Sequence, residues 1–150
     1  MAESNTLTYS IYTPSDQQGL NKEEVIDFLF HHLDEYGDAR KDIAACMEYA
    51  LSEAEGKGGA VLAAREGDTV VGALILNNTG MSGFIPENIL VYVAVHGSQR
   101  GKGVGKQLVQ MAADNTTGSI ALHVEPQNPA RHLYEKMGFT NKYLEYRLLR

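Results

Sequence analysis

Hydrophobic positions along this chain change their spacing several times, and each change marks an element. Leu7-Thr8-Tyr9-Ser10-Ile11-Tyr12 alternates apolar and polar residues among strong β-formers, which predicts a strand ended by Pro14 and Gly19. The spacing then turns helical, with Val25, Ile26, Phe28, Leu29 and Leu33 on one stripe. Asn21 is the expected N-cap, and Glu23 and Glu24 occupy the first turn, where the helix dipole favours acids. Gly37 is expected to break that helix. Asp38 or Asp42 would start a second one, burying Ile43, Met47, Ala50 and Leu51 and ending before Gly56-Lys57-Gly58-Gly59.

Two runs, Ala60–Arg65 and Thr69–Leu76, are continuously apolar and joined by Glu66-Gly67-Asp68, so they predict a hairpin covered on both faces. Asn77–Asn88 is a polar loop. Ile89–Val95 predicts the next strand, followed by a glycine-rich turn and a helix reaching about Asn115 with Gly118 as its stop. Ser119–Val124 predicts a fifth strand. Asn128 and Pro129 supply an N-cap and a first-position proline for a helix whose stripe is Ala130, Leu133 and Met137, closed by Gly138. Tyr143–Leu149 alternates again and predicts a terminal strand. The order describes a mixed α/β chain with two helices inserted early.

Composition narrows the class without naming a chemistry. With 150 residues, 43% hydrophobic and 21% charged, the chain is expected to form one soluble domain over residues 1–150. No apolar run has the ~18 residues a membrane helix needs. The first residues show no secretory leader, and Cys46, the one cysteine, has no intramolecular partner; a cytoplasmic location is the expectation. A net charge of −6 argues against coating nucleic acid. The dense basic cluster runs from Arg100 to Lys106 and suits a small polyphosphate.

That cluster sits in Val91-Tyr92-Val93-Ala94-Val95-His96-Gly97-Ser98-Gln99-Arg100-Gly101-Lys102-Gly103-Val104-Gly105-Lys106-Gln107-Leu108, an apolar strand leading into a basic glycine turn and a helix. Glycines let the backbone approach an anion and aim N–H groups at it, and the helix N-terminus adds positive potential. A Walker A loop is excluded: Arg100 stands where its first glycine belongs, and Gln107 replaces the magnesium-binding hydroxyl. The dinucleotide fingerprint fails as well, because Lys106 or Leu108 falls on its third glycine. What remains is Arg100-x-x-Gly103-x-Gly105, which resembles the acetyl-CoA pyrophosphate loop of the GNAT (GCN5-related) N-acetyltransferases. Pro129-Ala130-Arg131-His132-Leu133-Tyr134-Glu135-Lys136-Met137-Gly138-Phe139 resembles that family's second signature, in the expected order and after another strand.

The resemblance implies a mostly antiparallel sheet whose fourth and fifth strands are parallel and splay apart for the pantetheine arm, flanked by four helices. It implies an N-acetyltransferase with acetyl-CoA as donor and a small-molecule or peptide amine as acceptor; charge and hydropathy lead to no expected nucleic-acid or membrane partner, and a homodimer is allowed. The rival is a non-catalytic module that binds acyl-CoA. Cofactor contacts are expected from Arg100, Gly101, Lys102, Gly103, Val104, Gly105 and Lys106, and from the main chain of Val93 and Val95. Tyr134 would protonate the leaving thiolate, although its stripe also fits a core aromatic. Many relatives carry an asparagine seven residues before this tyrosine. Here Gln127 holds that place and Asn128, one residue on, also reads as a helix cap. Glu87, His123 and Glu125 are candidate bases. The acceptor pocket is expected between Leu20–Leu51 and the Asn77–Asn88 loop. His31, His32 and Asp34 read as a solvated face, and the chain after Phe139 is short for the family's last hairpin.

Overall fold

The computed structural model describes residues 6–150. Five strands form one sheet in the order β1-β2-β3-β4-β5: β1 (Leu7–Tyr12), β2 (Gly59–Glu66), β3 (Thr69–Asn78), β4 (Asn88–Val95) and β5 (Ile120–Leu122). The first three pairings are antiparallel and β4–β5 is parallel. Helices α1 (Lys22–His32), α2 (Arg40–Ala50), α3 (Val104–Asp114) and α4 (Ala130–Lys136) complete the described elements, with short 3-10 turns at Asp34–Tyr36 and Gly97–Gln99.

Alternation along the central strands divides the buried side chains between two cores. Val61, Ala63, Ala73 and Ile75 meet Val25, Leu29, Ile43 and Met47 from α1 and α2. Leu62, Leu74, Leu76 and Leu90 meet Val104, Leu108, Val109 and Ala112 from α3 on the opposite face. This is why β2 and β3 read as unbroken apolar runs. Each of the larger side chains among them (Val, Leu, Ile and Met) contributes about 1.5–3 kcal/mol by leaving water. At Gly72 a Cβ would lie 3.1 Å from the side chains of Leu108 and Val104, so the missing side chain lets α3 sit close on β3.

Local signals act largely as the sequence suggests. The Asn21 side chain caps α1 by accepting from the Glu24 N–H (3.1 Å). Gly67, at φ 61°, turns the β2–β3 hairpin tightly enough that Glu66 pairs with Thr69. Two expectations need correction. Neither Asp38 nor Asp42 caps α2, whose N-cap position is Ala39 with no side-chain bond. The terminal strand over Tyr143–Leu149 is absent: that stretch has no regular structure, and Tyr143, Leu144, Tyr146, Leu148 and Leu149 are all exposed. Alternation alone does not make a strand without a ladder partner, and β5 offers only three paired residues.

Candidate active site

The site begins at an irregularity in β4. Ile75 faces Tyr92 and Leu76 faces Leu90, so Val91 is an extra residue, a β-bulge. Its consequence is read from the hydrogen bonds on either side. Before the bulge, the Glu87 carbonyl faces the β3 side and accepts from the Thr79 N–H (2.9 Å), while the Asn88 N–H donates to the Ser119 carbonyl at the start of β5 (3.0 Å). After it, the His96 N–H donates to Val71 of β3 (2.8 Å). Parity has reversed, so Val93 and Val95 now turn their N–H and C=O groups toward β5. No strand meets them there, because β4–β5 pairing stops at Leu90–Leu122.

β5 is held only at its beginning. The buried Asn88 side chain donates to the carbonyls of Thr117 (2.8 Å) and Ser119 (3.3 Å). Glu87 accepts from the Ser119 N–H (2.7 Å) and the Gly83 N–H (3.1 Å), and these backbone bonds hold its carboxyl below the usual range. Beyond Leu122 the two strands part around a cleft of about 60 Å³. Its walls include Val91, Val93, His123, Asn128 and Tyr134, with Leu33, Tyr36 and Tyr92 on the α1–α2 side. A larger groove of about 580 Å³ lies over α2, between Lys22, Glu48, Tyr49 and Lys57. None of its lining residues belongs to β4, β5 or the glycine turn, and part of its wall is the exposed Lys22–Glu48 ion pair (3.2 Å). The smaller cleft is the one at the β4–β5 opening, lined by Tyr92, His123, Asn128 and Tyr134.

At the far end of β4 the chain enters the glycine turn. Gln99 is buried and donates to Glu66 at the end of β2 (3.1 Å), anchoring the turn to the hairpin. Gly103 is the N-cap of α3 in the left-handed region, at φ 82°, and no side chain caps the helix. The first N–H groups of α3, from Val104 onward, therefore keep their donors for another acceptor. Arg100, Lys102 and Lys106 are exposed around them. The Lys102 N–H is already given to the Gln99 carbonyl (3.3 Å), which leaves that residue its side-chain charge. Open N–H groups, glycines and cations therefore share one exposed surface, an arrangement that could hold an anion.

Tyr134 lies on α4, 7% exposed, edge-on to Phe139 with ring centroids 5.8 Å apart. Burial pushes its phenol up to about 12. The N-cap position of α4 is Pro129 rather than the expected Asn128, and no side chain caps the helix. The Asn128 side chain instead accepts from the Ala130 N–H (2.9 Å) in the preceding turn while also lining the cleft. Gln127 does not line it; it sits on the exposed turn with its amide on Glu125 (3.1 Å). Of the three candidate bases, His123 alone lines the cleft. Glu87 is committed to the β4–β5 clamp, and Glu125 is on the surface near Tyr36, whose phenol is raised by desolvation and then by Glu35 and Glu125. Of the expected acceptor wall, Leu33 and Tyr36 from the α1–α2 connection line this cleft, and the 77–88 loop does not. Among the described residues, no three His, Cys, Asp or Glu side chains come together as a metal site. Cys46 is packing, as its helical pattern suggests, with burial pushing its thiol up to about 11.

The pairing of Tyr92 with Asp38 is not foreseen from the sequence. Tyr92 projects from β4 next to the bulge, is buried, and donates its hydroxyl to Asp38 Oδ2 (2.5 Å). Fifty-four positions separate the two, and no local pattern links them. The visible signal was a lone phenol inside a Val/Ala run.

The parallel strand pair thus opens beside a bulge and leads to an uncapped glycine turn. The match to the acetyltransferase (GNAT) domain covers residues 57–141, more than half of the chain. The protein belongs to the GNAT acetyltransferases and is an acyl-transfer enzyme. Solved structures with this fold include a GNAT-family acetyltransferase of Streptococcus pneumoniae TIGR4 (20% identity, 95% of this chain and 99% of that one, TM-score 0.67). The aminoglycoside N-acetyltransferase AAC(6')-Iy in complex with CoA has 18% identity, 98% and 99% coverage and a TM-score of 0.65. The ribosomal-protein-alanine N-acetyltransferase of Brucella melitensis biovar Abortus 2308 has 19% identity, 97% and 100% coverage and a TM-score of 0.62. No curated protein matches significantly by sequence. Among the described residues, no helix is long and apolar enough to cross a membrane.

Proposed function

We propose that the protein transfers an acetyl group from acetyl-CoA directly to a primary amine held in the β4–β5 cleft. One observation carries this reading: the peptide groups of Val93 and Val95 turn to the β5 side, where no strand pairs with them, and lead to the uncapped start of α3. Amide groups of the pantetheine arm would complete the interrupted ladder at Val93 and Val95. The diphosphate would take the N–H groups of Gly101, Gly103, Val104, Gly105 and Lys106, with Arg100, Lys102 and Lys106 supplying charge. Hydrogen bonds to a charged group contribute roughly 1.5–3 kcal/mol each. Asn128 is better placed than Gln127 to meet the acyl arm, because it lines the cleft.

Attack of the amine on the thioester carbon forms the C–N bond and expels a thiolate. A phenol at about 12 is ~3.5 units weaker as an acid than a thiol near ~8.5, so complete proton transfer would cost about 5 kcal/mol. Tyr134 therefore acts first as a hydrogen-bond donor to the developing thiolate, and the proton follows when the thiol regains contact with water. Two fold neighbours carry names for acceptors as different as an aminoglycoside and a protein alanine, so the fold does not select among amines. Small amines and peptide N-termini are both candidates for this chain, in a cytoplasmic setting that suits its lone cysteine. Thiol release from acetyl-CoA across a panel of primary amines tests the reading. Amine-dependent release supports it; tight coenzyme binding without release from any amine makes the protein an acyl-CoA-binding module instead.

A further inference from the structure

We propose that Tyr92 and Asp38 form a proton relay that carries the attacking amine's proton from the cleft to solvent. The inference rests on the acetyl-transfer reading above and adds the group that reading lacks. Tyr92 lines the cleft on its α1–α2 side, immediately after the bulge where β4 and β5 part. It is 7% exposed, whereas Asp38, the acceptor of its hydroxyl, is exposed. A buried phenol thus bridges a cleft and a carboxylate that meets water. A phenol oxygen that donates its proton retains lone pairs, and can accept an N–H from the cleft side at the same time.

A structural role for Asp38 as a helix cap is absent. It stands one residue before the N-cap of α2, yet α2 has no side-chain cap and the carboxylate goes to Tyr92. Burial first and the bond to Asp38 second raise the Tyr92 phenol, so it stays protonated and does not serve as a phenolate base. It passes a proton only if Asp38 takes one. The other titratable groups around the pair are Asp42 and Cys46 on α2, Tyr36 on the 3-10 turn and His123 on the opposite wall. Cys46 is held as the neutral thiol by burial. His123 is the competing acceptor.

The proton balance is simple. An alkylamine with lysine's pKa of ~10.4 is neutral in roughly one molecule in 2,500 at pH 7, and that fraction attacks. Once nitrogen has bonded to the carbonyl carbon and the C–S bond is breaking, its N–H becomes far more acidic than a carboxylic acid. That proton moves to the Tyr92 oxygen as the Tyr92 hydroxyl proton moves to Asp38. The phenol is regenerated, and the Asp38 acid, being exposed, returns its proton to water.

The test uses ethylamine as a minimal acceptor at saturating acetyl-CoA, with thiol release as the readout. Asp38→Asn retains a hydrogen-bond acceptor for Tyr92 but does not take up its proton. It should lower kcat about 100-fold, within the range general acid–base groups contribute, while acetyl-CoA affinity and melting temperature stay at wild-type values. Tyr92→Phe should lower kcat to a similar degree. Formate should restore at least tenfold activity to Asp38→Ala, an effect that a tethering role would not produce. Asp38→Asn turning over within twofold of wild type, or no response of Asp38→Ala to formate, overturns the relay and leaves acetyl transfer standing. A wild-type protein that binds acetyl-CoA but does not accelerate ethylamine acetylation also overturns it. Absence of acetyl-CoA binding instead removes the underlying reading.

Discussion

On one face of the sheet, α3 and α4 bring the glycine turn, Asn128 and Tyr134 to the β4–β5 gap from neighbouring stretches of chain. On the other, Leu33, Tyr36 and Asp38 arrive from the α1–α2 connection, far away in sequence. Both faces are packed with comparable apolar side chains. They differ in how they meet a ligand. The α3 side offers backbone N–H groups, whose geometry is fixed by glycines and a helix start, so its chemistry is written in a short motif. The α1–α2 side offers side chains, and their convergence depends on how two helices settle on the sheet. On the proposed function, a coenzyme shared by a family would be met by the first kind of surface, and a variable acceptor by the second.

The strongest way to break this contrast is Gly103→Glu. At φ 82° a non-glycine residue is strained, and the new carboxylate would stand against the diphosphate. Acetyl-CoA affinity should fall more than ~100-fold by calorimetry, since losing two charge-assisted bonds alone is worth about 3 kcal/mol or more. Next in size, Tyr134→Phe should lower kcat by roughly 10²-fold with coenzyme affinity nearly unchanged; an unaltered kcat returns Tyr134 to the core. A pair of core truncations sharpens the comparison. Leu108→Ala and Ile43→Ala, both fully buried, should each cost about 2–5 kcal/mol in chemical denaturation. Only Leu108→Ala, which loosens α3 under the glycine turn, should also weaken acetyl-CoA. Equal weakening by both would mean that the two faces are not separable.

Smaller effects are expected where side chains serve local geometry. Glu87 is hydrogen-bonded by the Ser119 and Gly83 N–H groups, and its folded pKa is depressed. Its stabilising contribution is therefore complete above the unfolded carboxyl value of ~4.3 and is lost as pH falls through the lower folded value. Glu87→Gln should flatten the acid limb of the stability curve, measured by thermal melts between pH 3 and 7; an unchanged limb would remove Glu87 from the β5 clamp. Deleting residues 141–150, all of them exposed, should leave stability within about 0.5 kcal/mol.

Much of this molecule was legible because local chemistry and tertiary placement agree. Leu7–Tyr12 is the first strand as its alternation says, and Asn21 caps α1. The doubly covered hairpin follows from its unbroken apolar runs. The glycine turn and Tyr134 lie on the elements their motifs imply. What stayed hidden depended on relations that no window of sequence contains. The Val91 bulge is a matter of register between β3 and β4, and it decides which peptide groups face the gap. Asp38 looked like a helix cap because acids near helix starts commonly are, but the Tyr92 hydroxyl claims it. Gln127 had the family spacing, yet the turn before α4 puts Asn128 on the cleft instead. Tyr143–Leu149 had strand alternation without a ladder partner, and pairing rather than pattern decides a strand.

The direct test of the central claim is calorimetric titration of the purified protein and of Gly103→Glu with acetyl-CoA. The account predicts one saturable site on the wild-type chain, and no measurable heat of binding from a variant whose melting shows it is folded. Silence from the wild-type protein, or equal affinity in the two, would contradict it.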